Sequence, residues 1–316
     1  MVKNIIFKLL AIIAASMSFF FVCREGMNIL HAESGTLYDF DEIMTPVWEG
    51  DITYDESVLV VSEKDGNIKP IQLLYEIDEI VSVKSADYIK SYINGIDYEL
   101  NNGKLIINKT GNIPILDYNE FHPTIGTAGF ESRDGKYVLW KEGSYYHSKQ
   151  IIITYKHSDN FNGTIPAGKG SILQKTQQKL KEKAPVSILF YGDSITTGAN
   201  SSGHSMINVS PYLPIFPKLF VKRLEQIYQY QDIAMINKAV GGTDSAWGVA
   251  NIRNNFDSIS PDLVVIGFGM NDINTTPETF KTNILKIISG IRRYNPDAEF
   301  IIISTMLPNY NAIKFF

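Results

Sequence analysis

The sequence predicts an α/β protein: a doubly wound parallel sheet in the C-terminal part, preceded by a small β-sandwich. Two patterns carry this reading. From Val186 onward, strand-like and helix-like segments alternate, the pattern of parallel strands joined by crossover helices. Between residues 45 and 160, strand-like runs succeed one another with no helical period of any length. Their apolar faces must therefore be buried sheet against sheet. With 44% hydrophobic and 20% charged residues over 316 positions, the chain has a globular composition and room for about two domains.

Taken in order, residues 1–32 read as an export signal. Lys3 supplies the positive start, Leu9 to Val22 form a short apolar run, and Ala32 ends a Leu-His-Ala cleavage site. The run is shorter than the roughly 20 residues of a bilayer span, so cleavage is expected, with an uncleaved N-terminal anchor as the alternative. Cys23 closes the run, but Val22 stands before it where a lipid-attachment site wants a small residue; lipoprotein anchoring through Cys23 is not expected. Cys23 is the only cysteine, so the processed chain would hold no disulfide and no thiolate metal site. The expected location is secreted or cell-surface, without stable membrane insertion after signal cleavage.

In the β-sandwich region, residues 45–160, the strand candidates are Ser57–Ser62, Ile71–Val83 and Gln150–Tyr155, all rich in Val, Ile and Tyr. The sharpest hairpin signal lies over Asp97–Asn108, where Asn102-Gly103 suits a two-residue turn with positive φ at both positions. Residues 161–184 form a turn-rich linker, Asn162 to Gly170, followed by a polar lead-in helix over Leu173–Ala184.

Residues 185–316 form the second domain. Its strands are Val186–Tyr191, Ile233–Val240, Leu263–Gly267 and Glu299–Thr305, the last read as buried on both faces because it is almost continuously apolar. Its helices are Pro217–Tyr228, with Phe220, Leu224 and Ile227 on one face, and a short one near Ala246–Asn255. A third starts at Thr276-Pro277-Glu278 with Phe280, Ile284, Ile287 and Ile291 inward. Net charge is −5 with Lys and Arg scattered, so no nucleic-acid partner is expected.

In open α/β sheets ligands sit at the carboxyl ends of the strands. The first strand runs into Gly192-Asp193-Ser194, the second into Gly241-Gly242-Thr243-Asp244-Ser245, the third into Gly269-Met270-Asn271-Asp272 and the fourth into Met306-Leu307-Pro308-Asn309. Acyl transfer needs such a set: an exposed Ser at a tight turn as nucleophile, and preorganised donors for the oxyanion. A Gly backbone N–H and an Asn amide are suitable donors, and Gly242 lets the backbone approach a substrate closely. The carboxylates Asp193, Asp244 and Asp272 read as loop-shaping acceptors. No His or Cys cluster suggests a metal, and no cofactor is expected. A phosphate-cradling loop fits poorly, because Asp193 would put a carboxylate against the anion.

These residues resemble the SGNH/GDSL hydrolases. Gly192-Asp193-Ser194 is similar to that family's first block, with Ser194 at the nucleophile position. Gly242, five residues after Asn237, matches the Gly of the second block, and Gly269-Met270-Asn271-Asp272 matches the third, with Asn271 at the oxyanion position. The resemblance covers about residues 184–316 and implies a flavodoxin-like doubly wound sheet, site-shaping roles for Gly192, Asp193 and Asp272, and an esterase. The export signal and the β domain in front resemble the layout of two-domain secreted carbohydrate esterases, whose expected partner is an acylated small molecule or polysaccharide, most simply an O-acetyl ester. Trp247, with Tyr212 and Phe216, would form an aromatic wall for a sugar, or else pack in the core.

The family's fourth block, Asp-x-x-His, has no counterpart: from Thr305 onward there is neither His nor Asp, and the last His is His204. His204, in the loop after Ser194, reads as a rim residue rather than a substitute base; His122, His147 and His157 read as surface or structural. Two accounts fit. In the favoured one the chain is truncated, its sheet incomplete, and nearly inactive as written. In the other it is a non-catalytic carbohydrate-binding or scaffold protein with a degenerate hydrolase domain. A lipase or thioesterase of the same family is the further alternative.

Overall fold

The computed structural model describes residues 36–124, 126, 129–132, 134–165 and 170–306. The signal-like segment 1–32, Cys23, linker residues 166–169 and the end from Leu307 to Phe316 lie outside the described residues.

The N-terminal unit is built from antiparallel strands. β7 (Gln150–Lys156) is central, flanked by β1 (Ile52–Leu59) and β2 (Glu79–Ser85), in the order β1-β7-β2. Being central, β7 is buried on both faces: Ile151, Ile153 and Tyr155 are fully enclosed, and Ile152 and Thr154 nearly so. The hairpin of β3 (Tyr98–Asn101) and β4 (Lys104–Ile107) lays Leu105 and Ile107 against that core, with Leu73, Tyr75 and Val83. Its turn is as expected: Asn102 and Gly103 have φ of 49° and 70°. A third ladder pairs β5 (Gly129–Glu131) with β6 (Tyr137–Leu139).

Two strand expectations shift. The first strand begins earlier, at Ile52. Over 71–83 only Ile71 and the stretch from Glu79 onward pair, Ile71 bridging to Leu105 and β2 to β7. Between them Leu73, Tyr75 and Ile77 bury alternate side chains. Alternation reports burial, and it occurs here without a continuous ladder.

The C-terminal unit is a parallel sheet in the order β11-β10-β8-β9, where β8 is Val186–Gly192, β9 Ile233–Asn237, β10 Leu263–Gly267 and β11 Glu299–Ile302. Counted within the unit this is 2-1-3-4, the doubly wound order, and the chain switches direction between β8 and β10. Successive β8 side chains face opposite layers. Ile188 and Phe190 pack with Leu180 of α1 (Gln174–Lys181) and Val221 of α2 (Phe216–Tyr228). Leu189 and Tyr191 pack with Ile284, Ile287 and Ile291 of α5 (Pro277–Ile291). Each such buried Ile or Leu stabilises by about 1.5–3 kcal/mol. Thr276 caps α5, its side chain accepting the Thr279 N–H.

Other differences have plain causes. The helix near 246–255 is two short helices, α3 (Ser245–Ala250) and α4 (Ile252–Phe256), meeting at Asn251. In α2 the buried positions are Pro217 and Val221, whereas Ile227 is exposed. The segment before the β unit reaches α2 instead: Asp41 accepts from Arg223 Nη1 at 2.7 Å, and Lys222 Nζ lies 4.8 Å from the Phe40 ring. β11 ends at Ile302 and is the outer strand of the described sheet, with Ile302 54% exposed rather than buried on both faces. An apolar run cannot distinguish a central strand from an outer one.

Candidate active site

The site lies where β8, β9 and β10 end. Gly192 pairs with Gly267 across the switch point, and no larger residue fits there: a Cβ on Gly192 would come 2.3 Å from both Gly267 O and Thr196 Oγ1. Asp193 N–H donates to Gly267 O at 3.2 Å, and Val240 N–H to Gly192 O at 3.0 Å, so the chain leaves β8 tied to both neighbours. Ser194 starts a single helical turn, Ser194–Thr197, closed by Gly198 at φ 81°. Its carbonyl accepts from Thr197 Oγ1 (2.7 Å) and Ala199 N–H (3.0 Å), and its side chain is half-exposed.

Asp193 is 1% exposed. Its Oδ1 accepts the Ile195 N–H at 2.9 Å, which caps the Ser194 turn. Burial pushes its carboxyl above the ordinary value of 3.8. The N–H groups of Ile195, Met270 and Thr196 pull the other way, and the Asp272 charge adds to the rise. The side chain is therefore a buried acceptor that holds the Ser194 turn.

The second loop passes over Ser194. A Cβ on Gly241 would stand 3.7 Å from Ser194 Cβ. Gly242 follows at φ 75°, with nothing within 4 Å of its missing Cβ, so its backbone faces open space. Asn237 fastens this loop to the first: its Nδ2 donates to Thr196 O at 3.0 Å, and its Oδ1 accepts from Ala239 N–H.

The third loop brings Asn271 to the second. One hydrogen of Asn271 Nδ2 goes to Thr243 O at 2.9 Å; an amide nitrogen has two, so the other is oriented and free. Asp272, 8% exposed, accepts the Ser245 N–H at 3.1 Å and the Ser245 hydroxyl, which in turn accepts from Asn283 Nδ2 of α5 at 2.9 Å. Ser245 is fully enclosed, so this is a buried, satisfied network joining the second and third loops. Asp244 caps α3 through the Trp247 N–H at 2.8 Å. Trp247 itself packs against Tyr191 in the core, with ring centroids 6.0 Å apart, and Phe216 packs edge-on to Phe190. Of the three aromatic-wall candidates, Tyr212 is the exposed one, at 56%.

Beside the Ser194 turn, a cleft of about 200 Å³ is lined by Asp193, Ile195, Phe216, Phe268, Met270 and Ile303, among others. A roomier one, about 1100 Å³, lies between residues 38–41 and α2 and shares no lining residue with the strand-end loops.

Among the described residues, no histidine is hydrogen-bonded to Ser194, and each ring nitrogen pairing is made elsewhere. His122 pairs with Tyr137 O, His147 with Ser210 O and His157 with Asp159 O, while His204 Nδ1 accepts from Met206 N–H. Among the same residues, no three His, Cys, Asp or Glu side chains group to hold a metal ion, and no helix is long and apolar enough to cross a membrane.

Asn237, Thr243, Ser245 and Asn283 are site-supporting residues that sequence patterns do not single out. Asn237 and Ser245 at least adjoin the strand-end loops; Asn283, in mid-helix at a core position, is a polar residue where the helical period calls for an apolar one.

A serine at a strand-to-helix turn lies beside a glycine loop, and an asparagine amide is held on that loop from the next strand end, the residue types that acyl transfer calls for. The comparison with known families agrees. Residues 190–314 match the model of the GDSL-like lipase/acylhydrolase family. Over 131 residues, 39% of the chain, it is 28% identical to an uncharacterized protein of Mycoplasma pneumoniae, of which the match covers 14%. Similar solved structures include a two-domain esterase active on acetylated mannans (25% identical, 41% of this chain and 32% of that one, TM-score 0.34). They also include AlinE4, an SGNH-hydrolase family esterase (22%, 42% and 65%, TM-score 0.32), and the lipase/acylhydrolase from Enterococcus faecalis (27%, 37% and 55%, TM-score 0.28). The chain thus spans about a seventh of the curated relative and a third of the mannan esterase.

Proposed function

We propose that this protein is a secreted serine esterase that removes short acyl groups, acetyl foremost, from carbohydrate. The observation that carries the reading is the junction of the three strand-end loops. Gly241 overhangs Ser194, and Asn271 is held by Thr243 O with one amide hydrogen free. In this reading Ser194 Oγ attacks the ester carbonyl. The oxyanion that forms takes hydrogen bonds from the Gly242 N–H and from Asn271 Nδ2, donors already in place before the reaction and so free of reorganisation cost. The carbohydrate part rests on the export-like residues 1–32, the β unit in front of the hydrolase domain, and the exposed Tyr212 beyond the Ser194 turn.

Proton transfer from Ser194 needs a base, and the described histidines bond elsewhere. Hydrolysis of p-nitrophenyl acetate and acetylated xylan by the chain and by Ser194→Ala tests the reading; equal rates in the two would refute it. The exposed Tyr212 fits a second reading as well, a non-catalytic carbohydrate-binding protein. Retention on an acetylated polysaccharide column with no Ser194-dependent hydrolysis would support it. Recovery of the protein lacking residues 1–32 from culture medium tests the export.

A further inference from the structure

The loop that follows the Ser194 turn, residues 199–213, does not stand on its own unit alone. Both its ends are tied to the nucleophile turn. Ala199 N–H donates to Ser194 O at 3.0 Å, and Gly198 is so close to Ile215 that a Cβ there would overlap it at 2.2 Å. Inside, the loop is closed by Gly203 N–H to Leu213 O, Val209 N–H to Ser202 O and Leu213 N–H to Ser202 Oγ, each 2.9 Å. Its outer side is held by the β unit through three hydrogen bonds, two at Ser210 and one at Asn200. His147 Nε2 donates to Ser210 O at 2.7 Å; facing a carbonyl, that nitrogen must carry the hydrogen. Ser210 Oγ donates to Asp87 O at 2.6 Å, and Gly143 N–H donates to Asn200 Oδ1 at 2.9 Å. Asn200 sits at φ 67°, which Asn tolerates better than most residues, so its carbonyl can be turned toward Gly143. The three anchors come from two β-unit segments, the turn at Asp87 and the stretch Gly143 to His147, and none is needed to close the loop on itself.

We propose that the β unit is a working part of the acyl-transfer site. Its residues Asp87, Gly143 and His147 fix the loop 199–213, which carries the exposed Tyr212 and Met206, against the Ser194 turn, and His147 is the positioning residue of the clamp. The loop so held is the wall met by the alcohol portion of the ester. The assignment of that wall rests on the esterase reading; the clamp does not. A free loop of this length, with 56% and 81% exposed apolar side chains at Tyr212 and Met206, would sample many conformers, and external anchoring is what gives a substrate one surface to meet.

Hydrogen–deuterium exchange of the full chain tests the clamp without requiring turnover. In His147→Leu and in the milder Ser210→Ala, amides of 203–213 are expected to exchange about fivefold faster, the factor for loss of one hydrogen bond. Those of β7 and β10 should keep their protection. His147→Gln, which keeps an N–H donor, is expected to restore the loop. Unchanged loop exchange in both His147→Leu and Ser210→Ala would overturn the proposal. So would a uniform rise across the whole chain, which would mark His147 as merely structural, or a failure of His147→Gln to restore protection. Where Ser194-dependent hydrolysis is measurable, His147→Leu is expected to raise KM for an acetylated oligosaccharide more than for p-nitrophenyl acetate; equal effects on the two would remove the alcohol-side wall. A loosened loop in a chain with no hydrolysis would leave the clamp standing and count against the esterase alone.

Discussion

Asp193→Asn isolates the question of what the buried carboxylate beside the nucleophile does. The side chain is 1% exposed and faces three backbone N–H groups, from Ile195, Thr196 and Met270, with no cation among its partners. Asparagine keeps one acceptor oxygen and replaces the other with a donor, which turns a second N–H group toward those already there. Stranding one buried N–H costs about 1–3 kcal/mol. Removing a buried charge offsets part of this where the wild-type carboxyl is ionised. The two effects separate with pH. Burial raises the folded-state value above 3.8, so the native protein holds this proton to higher pH than the unfolded chain does. Wild-type stability from this group is therefore fully present below the unfolded value and declines as pH climbs through the folded one. The variant has no such slope. The stability gap between wild type and Asp193→Asn should be widest on the acid side, at about 1–3 kcal/mol, and narrow as pH rises. Urea unfolding followed by Trp247 fluorescence, in a background with Trp48 and Trp140 replaced by Phe, reads the C-terminal unit. A gap that widens with pH would mean that the N–H donors outweigh burial and would overturn the reasoning. Loss of Ser194-dependent hydrolysis at unchanged stability would make Asp193 a reacting group instead.

Other substitutions test the remaining parts. On the proposed reading, Asn271→Ala removes an oxyanion donor and is expected to lower Ser194-dependent kcat by about 10²–10³ while changing stability little, its described side-chain bond being the one to Thr243 O; steady-state kinetics reads this. Gly242→Ala should cost about 1–2 kcal/mol through its positive φ alone, having nothing to strike, whereas Gly192→Ala should prevent the C-terminal unit from folding; thermal unfolding separates the two. Asp272→Ala leaves the fully buried Ser245 N–H and hydroxyl without their acceptor. It should destabilise by roughly 2–5 kcal/mol in the same urea assay, with an intact unit at wild-type stability as the refuting result.

Much of the C-terminal unit could be read from order along the chain. The alternation of strand and helix, the apolar periods of α5 and the small polar residues after three successive strands are local patterns, and a doubly wound sheet has few ways to place them. The Asn102-Gly103 hairpin is legible for the same reason: positive φ at two adjacent positions admits few residue types. Trp247 is the instructive opposite. Its position after the second strand-end loop allows either a substrate wall or core packing, and that it lies half-buried beside the Tyr191 ring is visible only in the folded chain.

What the sequence determined by itself is the set of groups that meet at the sheet edge: Ser194, Gly242 and Asn271, each fixed by its place after a strand. What only the tertiary structure decided is how they are held. Asn271 is aimed by a carbonyl 28 residues earlier, Ser245 bonds Asp272 directly and accepts from Asn283 of α5, and the loop after Ser194 is gripped by His147 and Asp87 of the other unit. These are single hydrogen bonds between residues distant in the chain. They leave no period and no motif, because each requires only one donor and one acceptor to be brought within about 3 Å by everything else that folds.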